Sequence, residues 1–169
     1  EKVVNWNKHE FDAIDFSKAG VYQISGKVKQ TDYPRNMIPN YADPNVLLYN
    51  GKYYFIATNE NGQRQLDMRE SDTILGLKDA PTTTIFMANS SGDMSGCIWA
   101  PELHVVNGRL CIFFAAGNPS AWNTVRARVM RLKEGGNPMN PSDWEAPMRV
   151  QDKDGKYLFP EGITLDMTY

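Results

Sequence analysis

Two stretches of this sequence follow the same pattern without a gap. Residues 43–57 read DPNVLLYNGKYYFIA and residues 100–114 read APELHVVNGRLCIFF, so that the Asn50-Gly51 pair recurs 57 positions later. In each copy two runs rich in β-branched and aromatic residues flank an Asn-Gly pair, which favours a two-residue hairpin turn with positive φ angles. The chain therefore contains an internal repeat, and each copy is predicted to begin with a β-hairpin.

Each hairpin is followed by further strand-like sequence and then by a connector rich in Pro, Gly and Asn. The strand-like segments are QLDMRES at 65–71 and TVRARVMRL at 124–132, and the connectors cover residues 76–84 and 133–147. Repeats of about 40–60 residues that each form an antiparallel sheet of about four short strands are typical of β-propellers. Helical periodicity is weak throughout. The predicted fold class is therefore all-β, with a partial propeller over residues 33–169.

The end of the sequence matches the start of both copies. Aligning TLDM at 164–167 with the two earlier copies makes Asp43, Ala100 and Asp166 equivalent, at intervals of 57 and 66 residues. The chain is therefore expected to contain two blades and the start of a third. Because a propeller needs at least about four blades to close, we expect these residues to form part of a larger ring, whose remainder is one expected partner.

The first 32 residues do not share the repeat. They contain two short β-like runs, VVNW at 3–6 and GVYQISGKVKQ at 20–30, of which the second alternates polar and apolar residues. They are predicted to be β-sandwich-like strands, joined to the propeller by a linker at 33–39. The segment resembles the end of a bacterial immunoglobulin-like domain, and the matching residues are Trp6, Ala19, Gly20, Tyr22, Gly26 and Val28.

Composition excludes several classes of partner. Lys and Arg number 18 against 20 Asp and Glu, and no block of five like charges occurs, so a nucleic-acid ligand is not expected. The longest apolar runs, such as LCIFFAA at 110–116, are far too short to cross a bilayer as a helix, so no membrane partner is predicted. The N-terminus also lacks the basic and apolar regions of a signal peptide, so we expect either a cytoplasmic protein or a mature form whose targeting signal has been removed.

The two cysteines, Cys97 and Cys111, allow three interpretations. They could form one disulfide, remain two buried thiols, or belong to a metal site, and the buried thiols are the favoured interpretation. No CxxC or HExxH motif is present, and the two histidines are far apart in sequence, so zinc chemistry is not predicted.

The acids at the repeat starts suggest a chemistry. In a propeller the first strand of every blade starts near the central axis, so Asp43 and Asp166 are expected to share one pocket although they are remote in sequence. Paired carboxylates can hydrolyse glycosidic bonds, because one activates water while another protonates the leaving group. An Asp before Pro is most often a turn residue. Ala100 at the same position, however, indicates that the fold itself does not demand an acid.

The sequence resembles glycoside hydrolase family 43 over about residues 33–169. The matching stretches are YADPNVLLYNGKYYFIAT, CIWAPELHVVNGRLCIFFAAG and ITLDMTY. The resemblance implies a five-bladed propeller and an inverting hydrolysis of α-L-arabinofuranosyl or β-xylosyl linkages in plant polysaccharides. It also implies a bacterial enzyme that is secreted or periplasmic. No cofactor is expected, although some relatives carry a calcium ion in the axial channel.

The resemblance also assigns roles to the two acids. Asp43 matches the general base, and Asp166 matches the acid that orients the proton donor and tunes its pKa. The family's proton donor is a Glu in a later blade, which neither Glu102 nor Glu161 matches, so these residues alone are expected to be inactive. Cys97 stands where relatives often carry His.

Two aromatic residues are candidates for substrate binding. Trp99 precedes the second repeat start and is expected to stack on a sugar ring, with a core position between blades as the alternative. Phe114 is expected to line the pocket wall, with ordinary core packing as the alternative. Trp6, Trp122 and Trp144 are interpreted as structural. Two rival functions stay open, a sugar-binding propeller without hydrolysis and an interaction scaffold.

Overall fold

The computed structural model describes residues 4–28, 36–159 and 161–168, and the chain divides into two compact units, Glu1–Met37 and Ile38–Tyr169. The predicted boundary between residues 32 and 33 lies outside the described residues, as do the first three residues of the predicted linker. None of the helices in the described ranges is long and apolar enough to span a membrane.

The N-terminal unit contains a small two-stranded sheet. Strand β1 (Val4–Trp6) pairs antiparallel with β2 (Gly26–Val28), and the short helix α1 (Lys8–Asp12) lies between them in sequence. The predicted strand run at 20–30 is therefore too long, because within its described part only Gly26–Val28 forms a strand. The residues before it are held by loop contacts instead, since the Tyr22 hydroxyl donates to the carbonyl oxygen of Lys18 at 2.9 Å.

The C-terminal unit contains two four-stranded antiparallel sheets, each a meander in sequence order. Blade 1 consists of β3 (Tyr41–Tyr49), β4 (Lys52–Asn59), β5 (Gln65–Ser71) and β6 (Thr83–Met87). Blade 2 consists of β7 (Gly96–Val106), β8 (Arg109–Asn118), β9 (Ala121–Arg131) and β10 (Met148–Arg149). Two short 3₁₀ helices lie at Leu75–Lys78 and Pro141–Asp143. These sheets are two blades of a β-propeller.

The two predicted hairpin turns are confirmed. Asn50 and Gly51 have φ angles of 48° and 79°, and Asn107 and Gly108 have φ angles of 50° and 77°. Positive φ at both central residues gives the backbone twist that matches two antiparallel strands, and Asn and Gly adopt it at low cost. The fourth strand of blade 1, β6, starts inside the predicted connector at 76–84, and the fourth strand of blade 2, β10, starts directly after the predicted connector at 133–147.

The main core lies between the two blades. Apolar side chains from one face of blade 1, among them Ile56 and Met68, pack against side chains such as Ile112 and Phe114 of blade 2. All four are fully buried. Burial of each such side chain contributes about 1.5–3 kcal/mol, so the interface fixes how the first strands of the two blades lie against each other.

Candidate active site

The three repeat starts share an unusual backbone conformation. Asp43, Ala100 and Asp166 have φ angles of 50°, 42° and 51°, in the left-handed region that residues other than glycine rarely adopt. The first two lie where the strand register shifts, between Ala42 and Asn45 in blade 1 and between Trp99 and Glu102 in blade 2. Such β-bulges redirect a side chain at the end of a strand. The three aligned positions therefore share a left-handed φ, and the first two also share a bulge.

Asp43 is an exposed acid whose carboxylate is held from the strand behind it. Its Oδ2 accepts a hydrogen bond of 2.9 Å from the hydroxyl of Thr58, a buried residue on β4. The oxygen of that hydroxyl accepts a hydrogen bond of 2.7 Å from the backbone N–H of Ala100 in blade 2. The carboxylate of blade 1 is thus linked through one side chain to the repeat start of blade 2.

The repeat starts of the two blades are tied together at a second point. The side-chain oxygen of Asn45, two residues after Asp43, accepts a hydrogen bond of 3.0 Å from the backbone N–H of Leu103. Leu103 is buried in the core between the blades. These contacts fix the position of β3 relative to β7, and with it the position of Asp43.

Asp166 is also exposed, and its segment is bound to blade 2. The hydroxyl of Thr164 accepts a hydrogen bond of 2.8 Å from the backbone N–H of Ala127, and the N–H of Thr164 donates to Val125 O at 3.2 Å. Ala127 pairs with Ala115, which in turn pairs with Trp99 next to the second repeat start. The segment just before Asp166 is therefore bound to blade 2, close to the end of that blade at which the second repeat starts.

Trp99 lies beside this repeat start and is half-buried. Its indole Nε1 donates a hydrogen bond of 2.5 Å to Oε1 of Gln63, which lies in the β4–β5 turn. Its ring also contacts the ring of Trp122 edge to face, with the centroids 5.4 Å apart. Two turns at the same end of the blades thus orient the indole, which leaves part of its surface accessible.

The sequence predicts a structural role for Trp122, whereas the structure places this residue at an exposed position. It is the second residue of β9, directly after the β8–β9 turn, and 60% of its surface is accessible. Its Nε1 donates to the carbonyl oxygen of Pro119 at 3.1 Å. An aromatic residue just after a turn at the repeat-start end was the sequence signal that could have identified it as a second candidate for sugar contact.

The prediction that Phe114 lines the pocket wall is wrong. Its side chain is fully buried in the core between the blades, where its ring lies 5.9 Å from the ring of Phe86. Side chains alternate between the two faces of a strand, and Phe114 is on the face of β8 that packs against blade 1. It therefore has no surface on which a sugar could stack.

The remaining acids of the sequence analysis lie in other surroundings. Glu102 is bonded to His104, with 2.7 Å between its Oε2 and Nε2 of the imidazole, in keeping with a structural role. Glu161 is exposed in the segment before the third repeat start. Within the described ranges, no group of three or more His, Cys, Asp or Glu side chains is arranged to hold a metal ion.

Both cysteines are buried free thiols, so the disulfide interpretation is wrong. Cys97 packs with Ala115 and Val125, and burial raises the pKa of its thiol. Burial also raises the pKa of the Cys111 thiol. A thiol with a raised pKa stays protonated at neutral pH and is a poor nucleophile, so neither residue is a candidate for covalent chemistry.

The sequence model of the Glycosyl hydrolases family 43 matches residues 36–127, which is more than half of the chain. This range contains the whole of blade 1 and most of blade 2. The chain belongs to glycosyl hydrolase family 43. The matched range includes Asp43, Thr58 and Trp99. Asp166, which carries the third repeat start, lies beyond it.

Two arabinofuranosidases have similar sequences. Alpha-L-arabinofuranosidase 43 of Humicola insolens is 38% identical over 112 residues, which are 66% of this chain and 23% of the relative. An extracellular exo-alpha-(1->5)-L-arabinofuranosidase of Streptomyces avermitilis is 38% identical over 102 residues, 60% of this chain and 21% of the relative.

A solved structure superposes on a large part of this chain. The crystal structure of an alpha-L-arabinofuranosidase from Lactobacillus brevis superposes with a TM-score of 0.62 at 28% identity, and the match covers 74% of this chain and 41% of that one. The chain thus spans less than a quarter of the two relatives named above and about two fifths of this structure.

Proposed function

We propose that this protein takes part in the hydrolysis of α-L-arabinofuranosyl linkages in plant polysaccharides, with Asp43 as the general base. The observation that carries the proposal is the shared left-handed backbone position at the three repeat starts, which bears an acid in the first and third copies and Ala100 in the second. Because the fold accepts alanine at this position, a reason other than folding is needed for the two acids. Membership of family 43 supplies it.

The surroundings of Asp43 suit a base. Oδ2 of its carboxylate is engaged by Thr58, which leaves Oδ1 to accept the proton of a water molecule. In the inverting reaction that the family resemblance implies, this water attacks the anomeric carbon while a separate carboxylic acid protonates the leaving oxygen. We assign the second role to a Glu from a further blade, which Asp166 orients and whose pKa it tunes.

Trp99 and Trp122 are the residues that we assign to sugar binding. Both indoles lie at the repeat-start end, and their Nε1 atoms donate to protein oxygens, which fixes the ring planes. An oriented indole face offers a flat apolar surface that matches the apolar face of a sugar ring. Trp122 replaces Phe114 in this role.

The arabinose preference rests on the names of the relatives, all of which are arabinofuranosidases. The Streptomyces relatives are described as extracellular, and we propose secretion or a periplasmic location for this protein as well. A xylosyl substrate is the alternative within the family, and binding without hydrolysis is the alternative outside it.

The experiment uses the gene product that contains this chain, expressed from its complete open reading frame. It is assayed with p-nitrophenyl α-L-arabinofuranoside and p-nitrophenyl β-D-xyloside, and the anomeric configuration of the released sugar is followed by proton NMR. Release of arabinose with inversion supports the proposal. Cleavage of the xyloside faster than the arabinofuranoside would instead indicate xylosyl linkages as the substrate. Binding of arabino-oligosaccharides in calorimetry without any release would favour the sugar-binding propeller.

A further inference from the structure

One buried hydroxyl joins the two repeat starts. Thr58 is only 4% exposed, and its Oγ1 lies 2.9 Å from Oδ2 of Asp43 and 2.7 Å from the backbone nitrogen of Ala100. Thr58 sits opposite Ala42 in the β3–β4 pair, so it is beside the bulge that turns Asp43 outward. Both contacts are short enough for well-formed hydrogen bonds.

The two contacts fix the direction of the hydroxyl. A backbone N–H can only donate, so the bond from Ala100 occupies a lone pair of Oγ1 and leaves the hydroxyl proton for another acceptor. Among the described residues, the Asp43 carboxylate is the acceptor within reach. A buried hydroxyl proton without an acceptor would cost free energy, so the arrangement holds Oδ2 of Asp43 against the Thr58 hydroxyl and fixes the orientation of the carboxylate.

The second repeat supports a specific role for this pair. The position of Asp43 is taken by Ala100, and the position of Thr58 is taken by Ala115, which sits opposite Trp99 as Thr58 sits opposite Ala42. Blade 2 therefore lacks both the acid and the hydroxyl, yet forms the same hairpin. The threonine is thus not required by the blade itself, and it occurs in the blade that carries the acid.

We propose that Thr58 is a positioning residue for Asp43, and that the N–H of Ala100 sets the direction of its hydroxyl. This inference rests on the proposed function of Asp43 as the base. The left-handed backbone at Ala100 lets its N–H reach across from blade 2, so the interface between the blades orients the carboxylate. Thr58 acts on turnover through Asp43 and does not contact the substrate.

The test compares Thr58→Val with Thr58→Ser in the product of the complete open reading frame, with p-nitrophenyl α-L-arabinofuranoside as substrate. Valine keeps the shape and removes the hydroxyl, whereas serine keeps the hydroxyl and removes a methyl group. We expect Thr58→Val to lower kcat by about tenfold or more with KM nearly unchanged, because the lost bond orients a group that acts in the transition state. Thr58→Ser should restore most of the turnover.

A matched control is available in the same blade. The hydroxyl of Thr84 donates to Oδ1 of Asp67 at 2.8 Å, a threonine–aspartate bond that does not involve a repeat-start acid. Thr84→Val should lower the melting temperature without the fall in kcat. The inference is overturned if Thr58→Val keeps the wild-type kcat, if Thr58→Ser loses as much as Thr58→Val, or if Thr84→Val lowers kcat equally. If Thr58→Val does not fold, Thr58→Ala takes its place.

Asp43→Asn, measured in parallel, separates this inference from the proposed function. If Asp43→Asn keeps normal turnover, the assignment of the base fails, and the role of Thr58 fails with it. If Asp43→Asn abolishes turnover while Thr58→Val does not, the base stands and only the positioning role is lost.

Discussion

Blade 1 and blade 2 follow the same chain path but differ in their polar positions. Both begin at a bulge with a left-handed residue and turn at an Asn-Gly pair. Blade 1 carries Asp43 and Thr58 where blade 2 carries Ala100 and Ala115. The difference indicates that turns and apolar residues maintain the blade, whereas the residues at its repeat-start end can change without loss of the fold.

The two blades also place opposite charges at one equivalent buried position. Asp67 pairs with Ala57 in blade 1, and Arg128 pairs with Phe114 in blade 2, and both charged residues are buried. The carboxylate of Asp67 accepts hydrogen bonds from neutral groups, namely Tyr41, Asn59, Gln65 and Thr84. Arg128 instead pairs with Asp93 at 2.6 Å. A blade can therefore hold either charge at this buried position, provided that hydrogen-bond or ion-pair partners offset the free-energy cost of removing the charge from water.

The largest effect is expected from removing the acid at the first repeat start, which makes that position uncharged like Ala100 in the second. Asp43→Asn, in the product of the complete open reading frame, should lower kcat by about a thousandfold, because the amide cannot take a proton from water. Circular dichroism and the melting temperature should stay close to those of the wild type, since blade 2 folds with Ala100 at this position. Asp79→Asn, at an exposed acid in the β5–β6 connection, is the control. Near-normal turnover of Asp43→Asn would refute the assignment.

The second prediction compares the two buried charges. Asp67→Ala should lower the free energy of unfolding by about 3 kcal/mol, because it leaves several buried donors without an acceptor. Arg128→Met should cost less, about 1 kcal/mol, since Asp93 is largely exposed and can rehydrate, and since the buried Nε of Arg128 has no hydrogen-bond partner among the described residues. Denaturation with guanidinium, followed by tryptophan fluorescence, measures both. Equal losses of unfolding free energy in the two variants would show that the hydrogen-bond donors around Asp67 do not make its removal more costly than that of Arg128.

The third prediction concerns the backbone at the second repeat start. Alanine in the left-handed region is strained by about 1 kcal/mol, and glycine is not. Ala100→Gly should therefore leave the free energy of unfolding unchanged or raise it by up to about 1 kcal/mol. Ala88→Gly, at a buried alanine with negative φ, should lower it. A loss at position 100 as large as that at position 88 would contradict the left-handed conformation.

The smallest effect involves the ion pairs at the hairpin ends. Lys52 of blade 1 pairs with Asp72, and its equivalent Arg109 pairs with Glu145, which Arg131 also contacts. The bond from Arg109, with the neighbouring Arg131, holds the pKa of Glu145 below its ordinary value of 4.5. Stability from this group is therefore present above pH 4.5 and is lost as the pH falls through the lowered pKa.

Glu145→Gln should lower the free energy of unfolding at pH 7 by about 0.5 kcal/mol, and the difference from the wild type should vanish at strongly acidic pH. Asp72→Asn should have a smaller effect, because Asp72 is more exposed than Glu145 and has one cationic partner instead of two. Urea titrations at pH 7 and at low pH measure both differences. A Glu145→Gln effect that grows on acidification would contradict the assigned cause.

The sequence could not predict which way side chains point on a strand that is buried on both faces. The run LCIFFAA at 110–116 is apolar on both sides, so its periodicity could not reveal whether Phe114 faces blade 1 or the repeat-start pocket. The sequence does not reveal strands β6 and β10, because β6 begins inside a polar connector and β10 is only two residues long, so neither carries a clear periodic pattern. The run at 20–30 alternated like a strand, but side-chain bonds to a neighbouring loop held most of its described part in another conformation.

The sequence by itself determined the blades, their two Asn-Gly turns and the equivalence of Asp43, Ala100 and Asp166, because turn chemistry and repeat register are local properties of the chain. Only the tertiary structure decided that Thr58 holds Asp43, that Trp99 meets Trp122 and that Phe114 is core. The bond between Thr58 and Ala100 joins residues 42 positions apart. Contacts of this kind depend on how two sheets pack, and packing is set by the whole interface.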